Sequence, residues 1–156
     1  MKIEIQKAGP DDLALLMQWR MEVLHAVFCI PADQPLQELE QANRAYYQSA
    51  LPNGEHIACF ARAGGQIIGC GGVCFYREMP SPDNPGGRCA YLMNIYTRPA
   101  FRGQGAGGET VAWLIRQARA RRITKITLET SDQARPLYEK MGFCRMDGYL
   151  TLPPKP

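Results

Sequence analysis

The segment Arg102-Gly103-Gln104-Gly105-Ala106-Gly107 carries the most legible chemistry in this chain. An apolar stretch from Cys89 to Tyr96 runs into Pro99, then into this turn, then into a helical pattern. That order predicts a row of unpaired main-chain N–H groups at a helix N-terminus. The helix dipole adds partial positive charge there, and a diphosphate can sit on it. Little side-chain bulk stands in the way, and Arg102 can add a charge-assisted bond to the same anion. No Gly-Lys-Ser/Thr follows, so the turn is not a nucleoside-triphosphate loop, and a dinucleotide fingerprint would need Gly108 as its third glycine. Taken alone, the glycines serve equally well to let a helix pack close on a sheet.

Other reactive side chains are few. Six cysteines (Cys29, Cys59, Cys70, Cys74, Cys89 and Cys144) form no Cys-x-x-Cys pair, and only two histidines are present. Cys70 and Cys74, four apart on one face of a strand, offer only a poor zinc pair, so no metal site is expected; the thiols read as small apolar groups in a reducing compartment. His56 begins a strand and reads as a surface or packed imidazole. Arg20 lies on or beside the apolar stripe of the first helix. It either meets an acidic acceptor group or buries its stem and sends its head to water.

The elements that must position these groups follow from periodicity and breakers. Lys2–Lys7 alternates as an edge strand. Leu13, Leu16, Met17, Leu24, Val27 and Phe28 recur at helical spacing, and a second helix runs from about Leu36 to Ala50. His56–Arg62 and Gln66–Tyr76 read as strands joined by a hairpin at Ala63-Gly64-Gly65. Gly69, Gly71 and Gly72 within the second of these predict a bulge or a close approach. Met79–Gly87, rich in proline, is expected to be a mobile loop near an acceptor site. Arg88–Tyr96 reads as a central strand, Gly105–Arg121 as a helix and Lys125–Glu129 as a strand. A short helix opened by Asp132 or Arg135 ends at Gly142, and Phe143–Thr151 is predicted to be a final strand. The order is β-α-α-β-β-β-α-β-α-β, a mixed α/β sandwich with helices on both faces.

With 156 residues and a net charge of +3, the chain is expected to form one domain over residues 1–152, with 153–156 a frayed tail. The basic residues are spread out, so no nucleic-acid partner is expected. No apolar run is long enough to cross a bilayer and the N-terminus lacks a signal-peptide core, so a cytoplasmic protein without a membrane partner is expected.

The turn resembles the acyl-CoA signature of the GNAT superfamily of N-acetyltransferases, Arg/Gln-x-x-Gly-x-Gly/Ala, with Arg102, Gly105 and Gly107 at its defined positions. The lead-in Asn94-Ile95-Tyr96-Thr97-Arg98-Pro99 and the downstream Leu137-Tyr138-Glu139-Lys140-Met141-Gly142-Phe143 are similar to other segments of that family, and the order of elements agrees along the whole chain. The resemblance implies acetyl-CoA as co-substrate and a split between the fourth and fifth strands. Ile95, Tyr96 and Thr97 would bond the pantetheine arm as a pseudo-strand, and Arg102, Gly103, Gln104, Gly105, Ala106 and Gly107 would cradle the pyrophosphate. Tyr138 would be the general acid toward the departing sulfur, and Glu129, at the end of the fifth strand, the candidate base; Glu22, Glu78 and His56 are weaker options. Where many members carry asparagine this chain has Ser131, so no role carries over there.

The function so implied is transfer of an acetyl group to a primary amine by direct attack in a ternary complex. The expected acceptor is a small molecule; the alternatives are a protein or peptide N-acetyltransferase and a CoA-binding module without turnover. A homodimer is compatible with the family.

Overall fold

The computed structural model describes all residues from Met1 to Pro156. Strand β1 (Glu4–Ala8) leads through a 3-10 turn at Pro10–Asp12 into α1 (Leu13–Val27) and α2 (Gln37–Asn53). Strands β2 (His56–Ala63), β3 (Gln66–Arg77) and β4 (Arg88–Thr97) follow, then α3 (Ala106–Ala120), β5 (Lys125–Leu128) and α4 (Arg135–Lys140). The five strands lie side by side in chain order. Pairing is antiparallel from β1 to β4 and parallel between β4 and β5. A parallel pair needs a crossover, and α3 supplies it. No helix is long and apolar enough to cross a membrane.

Apolar side chains cover both faces of the sheet. On one, Leu16, Met17, Trp19 and Val23 of α1 and Tyr47 of α2 pack against Ala58, Phe60 and Cys70. On the other, Val111, Leu114 and Ala118 of α3 and Tyr138 of α4 pack against Val73, Ala90 and Leu92. Fully burying a side chain of this size contributes about 1.5–3 kcal/mol, so these two layers hold the helices in place. Thr110 is buried in the same helix because its hydroxyl donates to the Ala106 carbonyl at 2.8 Å. A Cβ on Gly71 would lie 2.5 Å from Thr110 Cγ2, and one on Gly69 2.5 Å from the Tyr96 carbonyl oxygen. The glycines of β3 are there for close approach.

Two expectations fail. Phe143–Thr151 forms no strand: the chain turns at Asp147-Gly148 and leaves Leu150 99% and Leu152 94% exposed. Gly148 interrupts the apolar alternation and has φ +87°, and β5 offers an edge of only four residues. The order therefore ends in β-α, within the same mixed α/β class. The loop 79–87, expected to be mobile and near an acceptor site, is tied down where β3 hands over to β4, at the end of β4 away from its parting from β5. Asn84, 3% exposed, donates to Glu78 Oε1 (3.1 Å) and the Arg88 carbonyl (3.2 Å). Glu78 accepts from Lys125 Nζ at 2.8 and 2.9 Å, beside the first residues of β4 and β5.

Candidate active site

None of the amide N–H groups from Gly103 to Gly108 donates to a main-chain oxygen, and no side chain caps them. They curl around the N-terminus of α3, where the first turn of any helix has no intrahelical acceptors. Gly103 (φ +75°) and Gly105 (φ +91°) hold left-handed conformations, yet a Cβ on either would meet nothing within 4 Å. Their requirement is conformational: the left-handed residues aim successive N–H groups to one side. Arg102 folds back from this turn, its Nε donating to the Thr97 carbonyl at 3.0 Å and its guanidinium carbon 5.9 Å from the Tyr96 ring centre.

Strand β4 outruns β5. The last pair between them is Leu92 with Leu128, so β4 runs on from Met93 to Thr97 with that edge free. A bulge helps to part them. Gly72 opposes Met93 and Cys70 opposes Tyr96, leaving Gly71 alone against Asn94 and Ile95. Asn94 takes φ +59°, a conformation that asparagine tolerates better than most residues. Beyond the bulge Arg98 donates its N–H to the Ile68 carbonyl at 3.0 Å. Main-chain direction alternates along a strand, so Thr97 and Ile95 turn their peptide groups to the free edge, while Tyr96 turns its own toward β3. The Tyr96 ring instead lies 6.4 Å from the Trp19 ring.

Tyr138 is held by the end of its own helix. Phe143 donates its N–H to the Tyr138 carbonyl (3.1 Å) and Gly142 to the Glu139 carbonyl (3.0 Å). This is a Schellman closure, with Gly142 at φ +96° and the Phe143 ring edge-on to Tyr138 at 5.9 Å. The glycine and phenylalanine of the Leu137–Phe143 segment thus fix the tyrosine's ring. Tyr138 is 7% exposed and packs in one layer with Leu92 and, at its margin, Ile95 and Leu128, the residues around the parting strands. Burial pushes its phenol pKa up, so it stays a protonated donor through neutral pH. Leu137, beside it, rests 3.4 Å from the Cβ position of Gly107, joining α4 to the start of α3.

Glu129 follows the last residue of β5, exposed, where the two strands part. Leu128 points to the α3 layer, so Thr127 and Glu129 point to the α1–α2 side. Tyr91 pairs with Thr127, and burial pushes its phenol pKa up, with a smaller push from the Glu129 carboxylate. The other base candidates are engaged elsewhere. Glu22 accepts two bonds from Arg98 (2.9 and 2.8 Å), whose guanidinium lies 4.3 Å over Trp19. Glu78 is held by Lys125 at the far end of β4. His56 is 5% exposed, and burial, with a smaller push from Arg20, lowers its pKa to about 4.

Sequence reasoning passed over Tyr46, and gave Cys74 and Asn94 no role of their own. The Tyr46 hydroxyl lies 2.9 Å from His56 Nδ1 and 3.0 Å from Cys74 Sγ, making a polar floor on the α2 side of the sheet. Only Asn94 left a signal, as a lone amide in an apolar strand.

Residues 17–143 match the model of the acetyltransferase (GNAT) family. The glucosamine 6-phosphate N-acetyltransferase of Trypanosoma brucei brucei is 26% identical over 109 residues, 70% of this chain and 71% of that protein. A predicted acetyltransferase from Clostridium acetobutylicum, solved with acetyl-CoA, is 30% identical with a TM-score of 0.85, covering 97% of this chain and 96% of that one. An aminoglycoside acetyltransferase from an uncultured soil metagenomic sample, 18% identical with a TM-score of 0.74 over 99% of this chain and 100% of its own, shares the fold. With the family model spanning most of its length, this chain belongs to the acetyltransferase (GNAT) family.

Proposed function

We propose that the protein transfers an acetyl group from acetyl-CoA to the primary amine of a small molecule, by direct attack with both substrates bound. The observation that carries this reading is the run of unpartnered amides from Gly103 to Gly108 beside the free edge of β4. A diphosphate suits the first and an extended amide-bearing arm suits the second, through Ile95 and Thr97. Arg102, Gln104, Ala106 and Gly107 complete the turn, and Tyr96, its ring against Trp19, backs the strand between the two. The Clostridium acetobutylicum relative, solved with acetyl-CoA, supports the same co-substrate. The Trypanosoma brucei brucei relative supports a small amine as acceptor.

The chemistry needs a neutral amine, a donor for the developing oxyanion and a proton for the leaving sulfur. In this reading Glu129 takes the proton of the incoming amine from the α1–α2 side. The nitrogen attacks the thioester carbonyl carbon, and an N–H at the free edge of β4 faces the oxyanion. The carbon–sulfur bond breaks, and Tyr138 gives its proton to sulfur from the α3–α4 side. Residues 1–152 act as one domain, and the six unpaired thiols suit a reducing, cytoplasmic setting. A second copy covering the open edge of β5 would make the dimer expected of the family.

The test joins acetyl-CoA titration by calorimetry to a thiol-release assay over small amines and peptide N-termini. Micromolar binding with release that depends on a small amine is the expected result. No binding up to about 1 mM, the top of the usual range for enzyme substrates, would remove the reading. Binding without release would leave a CoA-holding module, and release with peptides only would reassign the acceptor.

A further inference from the structure

Arg20 does not send its head to water. From α1 it reaches both neighbouring elements of the site: Nε donates to Asn43 Oδ1 of α2 and Nη1 to Asn94 Oδ1 of the β4 bulge, each at 2.9 Å. Both partners are neutral amides. Asn43 is fixed in this orientation, because its Nδ2 donates to the Leu39 carbonyl at 2.8 Å. No carboxylate bonds Arg20; Glu129, on the same side of the sheet, is the proposed base rather than its partner. Glu22, two residues further along α1, is held by Arg98 through both oxygens, and none of the chain's five ion pairs includes Arg20. The Arg20, Arg98 and Glu22 side chains together therefore leave one uncompensated positive charge.

That charge is half-buried and stands at the bulge, directly before the free edge of β4, on the side of the sheet from which the acceptor would enter. Its field is felt by Tyr47, His56, Cys70 and Cys74 around it. Taking a charge out of water without a counter-charge is unfavourable, and a guanidinium fork matches the oxygens of a carboxylate or phosphate. Nη2 makes no bond to the chain.

Resting on the acetyltransferase reading, we propose that the acceptor amine carries an anionic group, a carboxylate or phosphate, which Arg20 binds. Arg20 then orients the amine toward the parting of β4 and β5. The same charge disfavours polycationic acceptors by direct repulsion.

The experiment compares matched acceptors on the wild-type protein by thiol release: glucosamine 6-phosphate against glucosamine, an α-amino acid against its carboxamide, and an aminoglycoside as the cationic case. Expected is a kcat/KM roughly tenfold or more higher for the charged member of at least one pair, the size of one charged hydrogen bond; the winning pair separates phosphate from carboxylate. R20Q should erase that preference mainly through KM, with acetyl-CoA affinity unchanged, and R20K should keep part of it. Equal kcat/KM within both pairs, or fastest turnover of the aminoglycoside, would overturn the proposal even if R20Q does not fold. Equal losses for charged and neutral acceptors in R20Q would reduce Arg20 to a staple between α1, α2 and β4. Turnover without preference defeats only this inference, whereas no release with any amine defeats the acetyl-transfer reading beneath it.

Discussion

A phenol buried to 7% exposure beside the parting strands is useful because it keeps its proton. Replacing Tyr138 with phenylalanine retains the packing against Phe143 and removes only the donor. The expected result is a kcat lower by about 100-fold with acetyl-CoA affinity unchanged, measured by steady-state kinetics and calorimetry. An unaltered kcat would end the acid role. Glu129, the proposed base, lies toward the opposite side of the sheet and is exposed, so its exchange should not disturb folding. In Glu129→Gln, kcat should fall by about 100-fold with acetyl-CoA affinity unchanged if this carboxylate accepts the amine's proton, measured by steady-state kinetics and calorimetry. Unaltered turnover would end the base role.

At the level of elements, two glycines separate two kinds of constraint. Gly105→Ala places a Cβ where nothing crowds it, so its cost comes from φ +91° and is about 1–2 kcal/mol. Because that conformation aims the amides of the turn, acetyl-CoA affinity should fall together with the melting temperature. Gly71→Ala has no such backbone demand, but its Cβ would sit 2.5 Å from Thr110 and 3.1 Å from Leu114. Pushing α3 off β3 should destabilise by about 1–3 kcal/mol. Calorimetry on the folded fraction should find acetyl-CoA affinity less affected than in Gly105→Ala. The reverse ranking would mean that the turn is rigid without its left-handed glycine.

For the whole molecule, the buried imidazole of His56 makes acid a denaturant. Its pKa is near 4 in the fold and near 6.5 in the unfolded chain. Between these values the unfolded state binds a proton that the folded state does not, so stability rises with pH in that window and is lost as pH falls below 6.5. By pH 5 this group alone should remove about 2 kcal/mol of unfolding free energy, read from urea midpoints at pH 7 and pH 5. Over the same range the His56 ring resonances should hold their neutral positions; titration near pH 6.5 would refute the account.

The amino-acid sequence by itself determined what is encoded over a few residues. Gly103 and Gly105 specify a left-handed turn before α3, Gly142 and Phe143 close α4 around Tyr138, and the apolar periods place α1, α3 and the strands. Each is a matter of local backbone preference and side-chain spacing. Only the tertiary structure decided where β4 and β5 part, since that depends on β5 ending at Leu128 and on a bulge at Asn94 set against Gly71. It alone denied a strand to Phe143–Thr151, tied down the loop 79–87 through Asn84, and anchored Arg20 between Asn43 and Asn94, 23 and 74 residues away in the chain. Register, edge pairing and an unbalanced charge are sums over residues distant in sequence, and no window along the chain contains them.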